Sequence, residues 1–376
     1  MAKYFVIAGE TSGDMHAAAL IAQIKARDPK AEFSGLGGSQ MAAAECHLYQ
    51  DYSHMAFMGF VSVLANIGQI LRNFRIAEQA LLHEQPDVLI IVDYPSFNLR
   101  IAAFCRKHLP DTRIVYFIPP KVWAWKRRRI HRIARLCDEV LAIFPFEPAF
   151  YAKYGYRCTY IGNPTAEQIT NYQSPIPSDR ADRQRITNHQ SSIALLPGSR
   201  LSEVTHCLPR MLEAARRFSD YRIEVCAAPG INDDVYAPYL REGETLTRET
   251  YLTVRNAKAA IVNSGTATLE TALLRCPQVA VYHLTPSFLI GLLRWMRPLM
   301  FSISHFTLVN IIAGKEVIRE LLANDFTVRN LTAELQRLLT DEDYTKKMLA
   351  EYEHLSSLLG TQPAAATAAA IITAKP

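Results

Sequence analysis

The ten residues LIIVDYPSFN, positions 89–98, carry the reading that decides the fold. Four apolar residues run without alternation into Asp93, and Pro95 restrains the chain just after it. An unbroken Leu/Ile/Val run suits a strand buried on both faces, and such strands belong to parallel sheets covered by helices. The carboxylate at its end has two readings. Partly desolvated, it can accept a proton from a substrate hydroxyl. Alternatively it caps the following helix. Position alone leaves the two level.

Outward from this stretch the pattern repeats. KYFVIAG (3–9), TRIVYFIPP (112–120) and EVLAIFPF (139–146) are further short apolar strands closed by Gly or Pro. Stretches of helical period, such as MHAAALIAQIKA (15–26) and NLRIAAFCRKHL (98–109), separate them. A polar segment rich in Ser, Pro and Asn then interrupts the alternation, which restarts with SIALLPGSR (192–200), YRIEVCAAPG (221–230), AKAAIVNSG (257–265) and QVAVYHL (278–284). The expected architecture is α/β, with two Rossmann-like doubly wound domains and the active site in the cleft between them. The expected divisions are an N-terminal Rossmann-like domain at 1–165, a linker region at 166–192, a C-terminal Rossmann-like domain at 193–350 and a helical tail at 351–376. A chain of 376 residues is long enough for two such cores.

Composition excludes several classes. An apolar fraction of 49% with 20% charged residues is that of a globular protein. The net charge of +5 suits a phosphate-bearing ligand or an anionic surface without choosing between them. Seven cysteines scattered without a CxxC or a His/Cys ligand spacing read as reduced thiols, and no metal site is expected. The N-terminal apolar run ends at Gly9, too short for a signal segment. No uninterrupted apolar stretch reaches the ~18 residues of a spanning helix.

Three loops at strand ends carry candidate chemistry. In VIAGETSGD, Gly9 and Gly13 bracket Glu10, Thr11 and Ser12, and Asp14 is placed to cap the helix that follows. The spacing is not GxGxxG, and a plain strand-to-helix turn is an equal reading. In LLPGSR, Gly198 and Ser199 permit close backbone approach and Arg200 offers a fork for phosphate. In VNSGTATLETALL, Ser264, Gly265 and Thr266 open a helix that presents N–H groups to an anion. Glu270, one turn into that helix, is suited to a ribose diol or to balancing the helix dipole. Two Gly–hydroxyl loops in one domain, one with Arg and one with Glu, favour a nucleotide-sugar site.

The ordered set AGETSGD (8–14), MGFVSVL (58–64), DYPSFN (93–98), VWAWK (122–126), FPFE (144–147), YIGNP (160–164), LLPGSR (195–200), SGTATLE (264–270) and NIIAGKEVIRELL (310–322) resembles the bacterial lipid-A-disaccharide synthases. These are glycosyltransferases of the two-domain GT-B fold. The resemblance covers almost the whole chain. It implies transfer of a 2,3-diacylglucosamine unit from its UDP ester to the 6-hydroxyl of 2,3-diacylglucosamine 1-phosphate (lipid X), with inversion and release of UDP. It implies Asp93 as general base, and Arg200, Glu270 and Asn310 at the UDP, with Gly198, Ser199, Ser264, Gly265 and Thr266 around the pyrophosphate. Glu10, Thr11, Ser12, Gly13, Asp14 and Asn98 would face the acceptor. No metal or other cofactor is implied, and no DxD motif is present. The chain departs from the family pattern at Ser62, at Asn163, at the Pro–Lys pair before the tryptophans, and in TLVN (307–310).

Acylated substrates require a bilayer contact or an apolar groove. PSFLIGLLRWMRPLMF (286–301), with Phe288, Leu292, Trp295 and Met296, has the pattern of an interfacial helix, against a buried helix as the alternative. Phe57, Met58 and Phe60 belong to a second apolar stretch, 54–74, that lines an acyl groove or is ordinary core. Arg128, Arg132 and Arg135 share one helical face, suited to a lipid headgroup phosphate or simply solvated. No nucleic acid is expected, because no stacking motif accompanies them. The expected location is cytoplasmic, peripheral on the inner face of the inner membrane. A homodimer with exchanged C-terminal helices is compatible with the resemblance, and nothing at 331–376 requires it. Two rival readings remain at this level: another UDP-sugar enzyme of the same fold, such as an epimerase, and a catalytically dead nucleotide-binding scaffold.

Overall fold

The computed structural model describes residues 2–51, 67–124, 127–173, 191–283 and 305–374. The chain divides into two compact units, 1–167 with 361–376, and 168–360.

Unit 1 alternates β1 (Lys3–Ala8), α1 (Thr11–Arg27), β2 (Glu32–Gly37), α2 (Ser39–Ala43), β3 (His47–Asp51), α3 (Ile67–Glu84), β4 (Val88–Val92), α4 (Pro95–His108), β5 (Arg113–Phe117), α5 (Arg129–Leu136), β6 (Glu139–Ala142), α6 (Glu147–Ala152) and β7 (Thr159–Tyr160). The strands form one parallel sheet in the order β3-β2-β1-β4-β5-β6-β7. The run at 89–92 lies in the central β4, where every residue is buried. Its lack of alternation follows from the two layers around it. Leu89 and Ile91 pack with Phe5, Ile7 and the helices on one side, while Ile90 and Val92 pack with Tyr4, Val6 and α1 on the other. The order turns between β1 and β4, which pair with Ala8 opposite Val92. At such a switch point the loops leave in opposite directions and open a crevice beyond the strand ends. The loops that leave here carry Glu10 and Asp93.

A helix, α7 (Pro164–Gln173), carries the chain toward unit 2. Unit 2 contains β8 (Ser192–Leu196), α8 (Leu201–Ala215), β9 (Arg222–Cys226), β10 (Thr245–Thr247), α9 (Thr250–Asn256), β11 (Ala259–Asn263), α10 (Thr266–Leu273), β12 (Gln278–Tyr282), α11 (Leu308–Ala313), β13 (Arg319–Leu322), α12 (Val328–Thr340) and α13 (Glu342–Leu359). Its parallel sheet has the order β10-β9-β8-β11-β12-β13. The switch point lies between β8 and β11, and the loops leaving them are 197–200 and 264–265.

Two details differ from the sequence reading. The stretch expected as a linker begins inside α7, from its third residue on: Asn163 Oδ1 accepts the Ala166 N–H at 3.1 Å, and Ala166 and Ile169 are buried. Capping and an apolar face thus override the polar composition there. The C-terminal residues are not a separate tail either. α13 belongs to unit 2, and α14 (Ala364–Thr373) returns to unit 1, burying Ala364, Ala368, Ala369 and Ile372 in the layer that contains α1. Among the described residues, 342–373 is long and apolar enough to cross a membrane by length and composition. The break between α13 and α14 and the buried face of α14 make it packing structure instead.

Candidate functional site

In unit 1, Asp93 and Tyr94 both have φ of +41°, and Ile118 after β5 has φ of +58°. Left-handed conformations at non-glycine residues are costly, so neighbouring contacts must impose them. Here the imposing contacts are visible. The Asp93 N–H donates to Ile118 O at 3.2 Å, and the Asp93 carbonyl accepts from Tyr116 Oη at 2.8 Å and Asn98 Nδ2 at 2.7 Å. Asn98, fully buried, also donates to Val92 O at 2.9 Å. Tyr94 lies so close to Gly9 that a Cβ there would meet its ring at 2.5 Å. The capping reading of Asp93 does not hold, because Tyr94 is the N-cap of α4 and no side chain caps it. The Asp93 carboxyl is pushed up to about 6, by burial first and then by the Glu10 charge, with Lys121 and the Tyr94 N–H opposing. A carboxylate that titrates there is ionised at neutral pH and is a stronger base than an exposed aspartate.

The residues expected to face an acceptor separate into two groups. Thr11 and Ser12 are exposed, and Ser12 Oγ donates to Glu10 Oε1 at 3.0 Å. Gly13 and Asp14 are buried. Asp14 does not cap its own helix. It faces inward from the first turn of α1, and its carboxylate accepts the N–H groups of Gly38 at 2.7 Å and of Gln40 and Met41 at 3.1 Å, closing the N-terminus of α2.

In unit 2 a cavity of about 700 Å³ opens at the switch point. Gly198, Ser199, Arg200, Ser264, Gly265, Thr266 and Glu270 all line it, so the structure brings these sequence-predicted donor residues together. The N-terminus of α10 carries no side-chain cap and faces the cavity through Gly265, Thr266 and Ala267. Its N–H groups and dipole suit a phosphate. Gly198 has φ of +123°, and a Cβ there would meet Glu203 Oε2 at 2.5 Å and Asn263 Nδ2 at 2.7 Å. Glu203, three residues into the α8 turn, accepts the N–H groups of Ser199 at 2.9 Å and Arg200 at 3.2 Å. It therefore orders the loop and occupies donors that the sequence reading left for a ligand. The Arg200 side chain is 65% exposed and only loosely paired with Glu203, at 3.5 Å, so its guanidinium is available to an anion. Glu270 is held by a hydrogen bond from Tyr251, and burial raises its pKa. Tyr251 packs edge-on against Tyr172 at 5.3 Å, and both line the cavity.

Across its length the chain matches the family model described as lipid-A-disaccharide synthetase, over residues 4–373. The chain belongs to the lipid-A-disaccharide synthetase family. Curated relatives named lipid-A-disaccharide synthase include one from Trichlorobacter lovleyi, 34% identical over 95% of this chain and 93% of its own length. Another, from Myxococcus xanthus, is 34% identical over 98% and 96%. Among solved structures, a UDP-GlcNAc 2-epimerase from Neisseria meningitidis bound to UDP-GlcNAc superposes with a TM-score of 0.58 at 11% identity, covering 98% of each chain. MurG from Acinetobacter baumannii does so at 0.57 and 13%, covering 99% of each. At that identity the likeness shows the GT-B fold, which the synthetase family shares with epimerases.

Within this family member one residue expected at the UDP lies apart from the cavity lining. Asn310 is fully buried, donates to Ile318 O at 2.8 Å and Glu320 Oε1 at 2.9 Å, and accepts from Val317 N at 2.7 Å and Ile318 N at 3.0 Å. Those four bonds use all the hydrogen-bonding capacity of its amide, so it braces the segment before β13. Asn163 is likewise structural, bonding Ile143 O at 2.9 Å. The residues expected to contact acyl chains, Phe57, Met58, Phe60, Phe288, Leu292, Trp295 and Met296, and also Ser62, lie outside the described residues. Sequence reasoning missed Glu203, Tyr251 and Tyr172. Only Glu203 had a local signal, the acid three residues after an N-cap position; the others meet the site through tertiary packing. Among the described residues no group of three or more His, Cys, Asp or Glu is placed to hold a metal ion.

Proposed function

We propose that the chain is an inverting glycosyltransferase that joins UDP-2,3-diacylglucosamine to 2,3-diacylglucosamine 1-phosphate, releasing UDP and the β-1′,6-linked lipid A disaccharide 1-phosphate. The observation that carries this reading is the unit 2 cavity, where an uncapped helix N-terminus, an exposed Arg200 and a half-buried, tyrosine-bonded Glu270 converge. The pyrophosphate rests on the α10 N–H groups and Arg200, and Glu270 accepts from the ribose hydroxyls. Asp93 takes the proton of the acceptor 6-hydroxyl as that oxygen bonds to the donor C1 and the C1–phosphate bond breaks. Positive charge from the helix end and Arg200 stabilises the departing UDP. The reading requires no metal. Family membership supports the lipid identity of both sugars. That identity, together with Arg128 and Arg135 exposed at α5, supports work at the anionic cytoplasmic face of the inner membrane.

The test is UDP release from purified protein and UDP-2,3-diacylglucosamine in detergent with EDTA, with and without lipid X. Release that depends on lipid X and ignores EDTA is expected. Release or donor isomerisation without an acceptor would replace the reading with a hydrolase or epimerase. In the same preparation, Arg200→Ala and Glu270→Ala should each weaken UDP binding roughly ten- to hundred-fold, the loss of one charge-assisted contact. Calorimetric titration with UDP measures this, and unchanged affinity would remove either residue from the donor site.

A further inference from the structure

The lining of the unit 2 cavity has an order. It begins at the start of α10, Gly265 to Ala267, and Glu270 follows one turn along the same helix. Tyr251, the second residue of α9, hydrogen-bonds Glu270. Tyr172 then packs against Tyr251, with ring centres 5.3 Å apart and ring planes at 76°. Tyr172 reaches the cavity from α7, whereas the other lining residues all lie between Leu196 and Tyr282. Its helix is fixed at the other end, where the Glu167 carboxylate accepts the Ala364 N–H at 3.0 Å. Tyr172 is nevertheless 42% exposed, so ring surface is left for a ligand to cover. The same cavity has an apolar wall at Ala227, Ala228 and Pro229. That wall is pinned in place: the Ala228 N–H donates to Tyr236 Oη at 3.0 Å, and Arg248 donates to Ile231 O at 2.9 Å and to Asp233 Oδ1 at 2.5 Å.

We propose that Tyr172 is a base-stacking residue of the donor site, covering the flat face of the pyrimidine of a nucleoside diphosphate, with Tyr251 bracing its ring. This rests on the proposed function only in taking the cavity as the nucleotide site. Phosphate, ribose and base follow one another along a nucleotide, as the α10 start, Glu270 and the tyrosine pair follow one another along the lining. A cavity of about 700 Å³ is of the size that holds such a ligand. Aromatic side chains hold bases through their π-faces, and the stack needs no particular base edge. The competing occupants are the donor sugar and its acyl chains. These hang from the far end of the pyrophosphate, away from the ribose, whereas the tyrosines are reached through Glu270. A pinned apolar wall and a helix-borne ring also keep the ordering cost of binding low.

The experiment titrates UDP, UMP, inorganic pyrophosphate and UDP-2,3-diacylglucosamine into the full chain as wild type, Tyr172→Ala and Tyr172→Phe, by calorimetry. Proton NMR follows the uracil H5 and H6 signals of bound UDP. Tyr172→Ala should weaken UDP and UMP alike, roughly five- to thirty-fold, the loss of one aromatic–base stack. Pyrophosphate affinity should stay unchanged. Tyr172→Phe keeps the ring and should bind as the wild type does. The uracil signals should move upfield on binding to the wild type and the Phe variant, and less on binding to the Ala variant. Unchanged UDP affinity in Tyr172→Ala overturns the proposal and leaves the transferase reading standing. So does an equal loss for pyrophosphate, which would make Tyr172 a prop of the cavity wall. A loss for UDP-2,3-diacylglucosamine alone also overturns it, placing the ring against the sugar or its acyl chains. UDP binding that depends on the ring, in a protein that transfers no sugar, would sink the transferase reading while sustaining the base subsite.

Discussion

At the residue scale, Asp93 shows how one position opposes stability to reactivity. Its carboxyl is raised to about 6 from an ordinary 3.8, chiefly by burial. An unfolded chain releases that proton between these two values while the folded chain keeps it. Stability is therefore lost as pH rises through that window and stays lost at neutral pH. Asp93→Asn removes the penalty, and asparagine tolerates the left-handed backbone that Asp93 adopts. The variant should gain on the order of 2 kcal/mol at pH 7 and almost nothing near pH 3.5. Denaturant unfolding at the two pH values checks this. The same variant should retain UDP affinity and lose most turnover, and an unchanged rate would remove Asp93 from the base role. In the wild type, kcat/KM should fall tenfold per pH unit below about 6 as the base becomes protonated.

At the element scale, the sequence motif AGETSGD divides between chemistry and scaffold. Glu10 lies at the start of α1 beside the Asp93 charge, whereas Asp14 closes the first turn of α2 with three N–H bonds. Charge-assisted bonds to buried N–H groups are strong, and truncating the acceptor strands every donor. Asp14→Ala should destabilise unit 1 by about 3 kcal/mol, read as a lowered denaturant midpoint, while UDP affinity in unit 2 is kept. A stable variant with a raised acceptor KM would instead return Asp14 to the acceptor site. The motif is legible from sequence, but the division is not. Residues 11–14 all read as candidates because the partner of Asp14 lies 24–27 positions away.

At the scale of the whole molecule, the chain leaves unit 1 through α7 and comes back to complete it with α14. Arg113 at the start of β5 donates to Ile372 O at 2.8 Å and Ile371 O at 3.1 Å, tying the returning helix to the sheet. Deleting 361–376 uncovers Ala17, Leu20, Ile21 and Ile24 and removes a buried isoleucine and three buried alanines. The loss should be about 5 kcal/mol, falling on unit 1 alone. Limited proteolysis resolves the units: enhanced cleavage confined to 1–167 is expected, and equal protection of both would contradict the role of α14.

The sequence by itself determined the layering and the loops. Unbroken apolar strands alternating with helical periods can be satisfied only by a sheet covered on both faces. Gly and hydroxyl residues at strand ends mark where backbone N–H groups open outward. Local chemistry sufficed for Gly198 to Arg200 and Ser264 to Thr266, because loop and helix start are contiguous in the chain. Tertiary structure decided everything that depends on a distant partner. It made Asn310 a brace, aimed Glu203 at the loop donors and set Tyr251 on Glu270. Those roles arise from strand order and packing, which juxtapose residues that no periodicity links.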